Sequence, residues 1–239
     1  MLYVDIEKRL DRFTLKAKFE CEGAPSALFG ASGSGKSVTL KCIAGIYKPD
    51  KGVIKLNDRV LFDSKNKINL PPQKRRVGYL FQDYALFPNM NVTQNIMTGL
   101  RQYNKPERSE KAAELIKRFR LEGLEKARIN TLSGGEKQRV ALARIFASSP
   151  EVLLLDEPFS SLDTYLKLEL IPYVREIVDG FGGETVLVSH DISEVLSLCK
   201  KVTPLVNGET QDTVDTVNFY SQIKKEYEKA GVQLPGYEL

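Results

Sequence analysis

Apolar and polar residues alternate along residues 2–8 and again along 13–21, the two-residue period of half-buried antiparallel strands. Gly23-Ala24-Pro25 then turns the chain into Ser26-Ala27-Leu28-Phe29, a short apolar run that reads as a buried strand. Val38 to Ala44 has helical spacing and stops at Gly45. Further on, Val53–Leu56 and Arg59–Phe62 flank Asn57-Asp58, a two-residue hairpin signal. Ser64 to Lys74 is polar, with Pro71-Pro72 at its end, and is expected to be a surface loop; Arg76 to Phe81 returns to strand and Gln82 ends it.

From Asp83 to Pro150 the pattern becomes helical, with helices expected near Thr93–Leu100, from Pro106–Ser109 to Phe119, and from Ser133 onward. Residues 82–150 therefore look like a helical subdomain inserted into a sheet-bearing body. Glu151-Val152-Leu153-Leu154-Leu155-Asp156-Glu157 is a continuous apolar run closed by two acids, as in a central parallel strand buried on both faces. A helix follows over about Asp163–Asp179, in which Pro172 implies a kink or a restart. Thr185–Val188 is another buried strand, ending at Ser189-His190. The last strand, Lys201–Val206, turns at Asn207-Gly208, and an amphipathic helix from about Val217 to Ala230 is expected to stop at Gly231.

A chain of 239 residues accommodates one large α/β domain with a subdomain. The formal charge of +4 is spread among acids rather than gathered in a run, and nothing in it calls for nucleic acid. No apolar run approaches the ~20 residues of a membrane span, and the N-terminus alternates like a strand rather than a signal peptide, so a soluble, cytoplasmic chain is expected. Cys21, Cys42 and Cys199 are widely spaced among apolar neighbours, which suits reduced core thiols.

The sharpest chemical signal is Gly30-Ala31-Ser32-Gly33-Ser34-Gly35-Lys36-Ser37, a glycine loop between strand and helix that ends in Gly-Lys-Ser. Such a loop gathers backbone N–H groups and the positive end of a helix dipole around one small space, which suits a polyphosphate. Lys36 adds a mobile charge for the outer phosphates, and the Ser37 hydroxyl can ligate Mg2+. Tyr3 and Phe13 are the aromatic candidates for stacking on a base.

A second anion site is suggested by Leu132-Ser133-Gly134-Gly135-Glu136, where Ser133 and Glu136 have capping-box spacing and two glycines leave helix-end amides unshielded. One nucleotide has a single set of outer phosphates, so either two faces meet across one ATP or the second site is idle. Asp156 can hold Mg2+ and Glu157, pointing the other way, can polarise an attacking water. His190, the sole histidine, stands at a strand end where a γ-phosphate contact is one of two readings, the other being an ordinary surface polar residue.

Taken together these stretches closely resemble the nucleotide-binding subunit of ATP-binding cassette (ABC) transporters. The resemblance runs through the loop Gly30–Ser37, Gln82, the signature Leu132–Glu136, the strand and acids Leu153–Glu157, Ser161-Leu162-Asp163 and His190, and covers nearly the whole chain. It implies a P-loop NTPase fold of ABC type: α/β, a mixed central sheet with an antiparallel β subdomain and an inserted helical subdomain, over residues 1–239. It also implies that Lys36 and the loop amides hold the β and γ phosphates of ATP and that Ser37, Gln82 and Asp156 surround Mg2+. By the same resemblance Glu157 acts on the water, His190 contacts the γ-phosphate, and Ser133, Gly134 and Gly135 of one copy face the ATP held by a second. More narrowly, Leu56–Asp63 and Leu70–Asp83 look like the ATPase of molybdate importers, with sulfate and tungstate importers close behind. The implied partners are a second copy, an integral-membrane permease and, indirectly, an extracytoplasmic binding protein, with no nucleic acid, at the cytoplasmic face of the membrane. Residues 207–239 are expected to be a tail without a separate regulatory barrel. Tyr84-Ala85-Leu86-Phe87 is an apolar run expected to line a docking groove for a permease helix. A DNA-repair or translation ABC protein is disfavoured by the short middle block, and a scaffold without turnover by the presence of both Glu157 and His190.

Overall fold

The computed structural model describes residues 1–160 and 162–229. They fall into two compact units, residues 1–75 with 171 onward, and residues 76–170. In chain order the elements are β1 (Leu2–Arg9), β2 (Thr14–Cys21), β3 (Ser26–Phe29), α1 (Lys36–Ala44), β4 (Lys51–Leu56), β5 (Arg59–Asp63), β6 (Ile68–Asn69) and α2 (Pro72–Arg75). Next come β7 (Val77–Leu80), α3 (Val92–Met97), α4 (Lys105–Arg118), α5 (Gly134–Ala147), β8 (Val152–Asp156) and α6 (Thr164–Asp179). The chain finishes with β9 (Glu184–Ser189), α7 (Ile192–Leu198), β10 (Lys201–Val206), β11 (Glu209–Thr210), β12 (Val214–Asp215) and α8 (Thr216–Lys229).

In the first unit the alternating N-terminal segments pair antiparallel, with Val4 opposite Phe19 and Ile6 opposite Ala17, so that Leu2, Val4, Ile6, Leu15, Ala17 and Phe19 all enter the core. β1 also pairs with β4, and the hairpin β4–β5 turns at Asn57, whose φ of 51° is the left-handed conformation such a turn requires. The buried run β3 lies parallel to β9 on one side and to β10 on the other, which makes the sheet of this unit mixed. In the second unit β7 and β8 are parallel, all of Val152–Asp156 is buried, and α3 and α4 pack on α5. Burying each leucine of that strand contributes roughly 2 kcal/mol, enough to make the strand's position hard to alter.

One expectation changes. The stretch Ser64–Lys74 is not all loop: β6 pairs with β5, and the α2 turn leads into Arg75, which is fully buried. The helix expected over about Asp163–Asp179 is α6, with Pro172 inside it; the carbonyl that Pro172 leaves without a donor belongs to Leu168, a residue 71% exposed and so within reach of water. The helix α7 after His190 is an element whose seven residues are too few to show a period. The expected helix end at Ala230 and Gly231 lies outside the described residues, as does Ser161.

Candidate functional site

In the first unit β3 ends at Phe29, and the chain passes through Gly30–Gly35 into α1. Gly33 (φ 80°) and Gly35 (φ 109°) carry the left-handed steps that bend the loop back over the helix end, steps that a residue with a Cβ takes only under strain. Among the described residues no side chain caps α1 and its first turn has no acid, so its leading N–H groups are directed into the loop. Lys36 is 4% exposed and its Nζ donates to the carbonyls of Gly30 (2.8 Å) and Ala31 (2.9 Å), which fixes an ammonium at the centre of the loop. Ser37 is half-buried on the first turn. This is a cradle for a polyanion: amides, a helix dipole and one buried cation.

Beside the loop lies a cavity of about 620 Å³, walled by Phe13, Phe29, Gly33, Val206 and Phe219 among others. Of the two candidates for stacking on a base, Phe13 is the one that reaches it, and its ring passes close to two positions that lack side chains. A Cβ on Gly208 would come within 2.5 Å of the Phe13 ring, and one on Gly35 within 3.6 Å. Tyr3, the other candidate, lines a different pocket and donates its hydroxyl to Asp5 at 3.3 Å. His190 also belongs to this unit, exposed in the short connection between β9 and α7, whose N-cap is Asp191.

The second unit carries the acids and the signature. Asp156 closes β8, 6% exposed, and accepts a hydrogen bond of 2.6 Å from the Tyr79 hydroxyl of β7, a partner the sequence did not suggest. Glu157 follows with φ 46°, so the backbone changes hand between the two acids. Gln82 is exposed just beyond β7. Ser133 caps α5, accepting from the Glu136 N–H (3.3 Å) while the Glu136 carboxylate accepts from the Ser133 N–H (2.7 Å); that backbone bond foremost, helped by the Ser133 hydroxyl, holds the Glu136 carboxyl below its usual range. Gly134 and Gly135 form the first turn, and Cβ atoms there would press on Leu162 (2.9 Å) and Leu170 (3.2 Å).

The run Tyr84–Phe87 is only partly the surface expected. Tyr84 is core, 6% exposed, whereas Phe87 is 44% exposed and Leu86 half-buried. Arg144 of α5 donates to the carbonyls of Ala85 (2.7 Å) and Tyr84 (2.9 Å), and its guanidinium lies 5.4 Å from the centre of the Phe87 ring. The Asn95 side chain accepts from the Phe87 N–H (2.9 Å) and donates to its carbonyl (3.2 Å). Arg144 and Asn95 thus hold the loop, and neither stands in a motif that would single it out.

The described helices include none long and apolar enough to cross a membrane. The family model for ABC transporters matches residues 16–160. A molybdenum import ATP-binding protein, ModC of Brucella melitensis, is 40% identical over 98% of this chain, which spans 65% of that protein's length. ModC of Rhizobium etli is 39% identical over 98% of the chain and 67% of its own length. Among solved structures, the dimeric structure of MJ0796, a bacterial ABC transporter cassette, aligns with a TM-score of 0.74 at 25% identity, covering 90% of this chain and 99% of that one. A post-hydrolysis state of the same cassette, bound to ADP and Pi, aligns with a TM-score of 0.74 at 26% identity.

Proposed function

Since the chain belongs to the ABC transporter family, we propose that it is the ATP-hydrolysing subunit of an importer, working as a pair of copies on the cytoplasmic face of a membrane permease. The observation that carries this reading is the loop Gly30–Ser37: an uncapped helix end, left-handed glycines and a buried lysine converging where a polyphosphate fits. Phe13 offers an aromatic face beside it for adenine. Lys36 and the loop amides hold the β and γ phosphates. Ser133, Gly134 and Gly135 of the second copy close over them.

The donors also fit Mg2+, a hard cation that accepts few protein oxygens and completes its shell with phosphate and water. Ser37, Gln82 and Asp156 would hold it, and when bound it offsets charge on the outer phosphates. Glu157 orients the attacking water and takes its proton, while His190 touches the γ-phosphate. The cargo reading is molybdate, supported by the stretches Leu56–Asp63 and Leu70–Asp83 and by the naming of the ModC relatives, with tungstate and sulfate as the neighbouring possibilities in an uptake assay.

Glu157→Gln tests the ATPase. The carboxamide keeps the shape but cannot take the proton, so this variant is expected to retain ATP and Mg2+ without hydrolysis and to elute as a dimer, with Ser133→Arg restoring the monomer. Hydrolysis at the parental rate would remove Glu157 from the mechanism. For the cargo, vesicles bearing the chain with its permease and binding protein should accumulate radiolabelled molybdate, and ATPase activity driven by maltose instead would overturn the oxyanion reading.

A further inference from the structure

Glu194 is a buried carboxylate that the proposed mechanism does not use. It sits on α7 with 3% of its surface exposed, four residues after His190. An ionisable group in such a place is costly to keep unless its hydrogen bonds do something an apolar residue could not. Its Oε2 accepts from the Ser189 hydroxyl at 2.6 Å, and Ser189 is itself 1% exposed at the end of β9. The same Ser189 Oγ accepts from the Asp191 N–H at 2.9 Å. On the far side, the Asp191 carboxylate accepts from the Ser193 N–H (2.9 Å) and the Ser193 hydroxyl (2.6 Å).

Hydrogen bonds therefore fix the chain on both sides of His190 while His190 itself stays exposed. The Ser189 hydroxyl is the pivot. Its proton goes to Glu194 at 2.6 Å, so its lone pairs are turned toward the Asp191 N–H, and the side chain of Glu194 thereby orients the link to the backbone after His190. We propose that Glu194 is a positioning residue for His190, acting through Ser189 and the Asp191 amide to hold the imidazole at one place relative to the end of β9. This rests on the reading of His190 as a γ-phosphate contact. A group that contributes only by placing another should leave nucleotide affinity alone and act on turnover.

The test uses the full chain, with its permease where turnover requires it. Glu194→Ala is expected to lower kcat for ATP about tenfold or more, the size of a lost hydrogen bond to a charged acceptor, with KM for ATP within about twofold of the parent. Glu194→Gln, which still offers an oxygen to Ser189, should recover most of that loss. In a His190→Ala background Glu194→Ala should cost nothing further. A readout independent of turnover is amide exchange without nucleotide, in which the Asp191 N–H should exchange at least about tenfold faster in Ser189→Ala than in the parent. Ser189→Ala also serves for kinetics should Glu194→Ala fail to fold. A Glu194→Ala or Ser189→Ala protein with parental kcat, or an equal further loss on top of His190→Ala, overturns the positioning role while leaving the ATPase reading intact. Parental turnover by His190→Ala alone would overturn the assignment of His190 and this inference with it.

Discussion

Arg75→Met should unlock the far end of the helix that carries the phosphate loop. Arg75 is fully buried, and its guanidinium donates to Leu70 O (2.7 Å), Cys42 O (2.8 Å), Ile43 O (2.9 Å) and Asn69 Oδ1 (2.8 Å). Two of these acceptors are carbonyls of the last turn of α1, so a fixed cation sits at the negative end of that helix dipole. Burial lowers the affinity of the guanidinium for its proton, a sign that the charge is held at some cost, and methionine removes that cost along with the bonds. What remains is the loss of a donor by the acceptors. Cys42 O keeps the Gly45 N–H at 3.2 Å, and Asn69 is exposed and can turn to water. Ile43 O and Leu70 O keep neither of these, a loss of about 2–6 kcal/mol for the two, of which the relief of the buried charge offsets about 1–4, so that the net loss is about 1.5 kcal/mol. For a chain of this length that is a fall of about 3–6 °C in Tm, read by far-ultraviolet circular dichroism. Gly45 faces the same guanidinium, with φ 81° and a would-be Cβ 2.5 Å from Nε, so Gly45→Ala should move Tm in the same direction. A methionine variant melting within about 2 °C of the parent would show that the hydrogen bonds of Arg75 only balance the cost of burying its charge.

Phe13→Ala should weaken ATP binding about 5-fold to 100-fold, the range for one base stacked on one aromatic, with no change for inorganic tripolyphosphate; equal losses for both would mean that the ring supports the loop and not the base. Leu86→Ser with Phe87→Ser should abolish transport and leave ATP binding intact, and transport that survives would place the permease elsewhere. Burial pushes the Cys21 thiol up to about 11 and the Cys42 thiol up to about 12, so at pH 8 a thiol reagent should label neither until the protein is denatured; fast labelling of the native chain would contradict their placement in the core.

What could be read from the sequence was whatever obeys a local rule. The alternation along residues 2–8 fixes which side chains enter the core because a strand has a period of two, and the glycine loop between strand and helix is chemistry written in consecutive residues. Ser133 and Glu136 announced their capping box by spacing alone, and the structure shows both of its bonds. Residues whose partners lie far along the chain stayed hidden. Arg75 in a polar, proline-rich stretch looks like a surface charge, yet its carbonyl partners Cys42 and Ile43 lie more than thirty positions away. Tyr79 meets Asp156 across two parallel strands, and Arg144 reaches back to Tyr84 and Ala85. The choice between Tyr3 and Phe13 was hidden for a related reason: both are aromatics near the start, and what sets Phe13 beside the loop is its packing against Gly35 and Gly208, distant in sequence.

The left-handed backbone of Glu157 sets two kinds of selection against each other. A non-glycine residue at φ 46° holds about 1 kcal/mol of conformational strain, which asparagine or glycine at that position would release in part. A library of this chain sorted for heat resistance alone would therefore enrich replacements of the residue assigned to the water, and the hardiest survivors would be the least able to turn over ATP. Anyone hardening this protein for use has to hold position 157 constant and look for stability elsewhere.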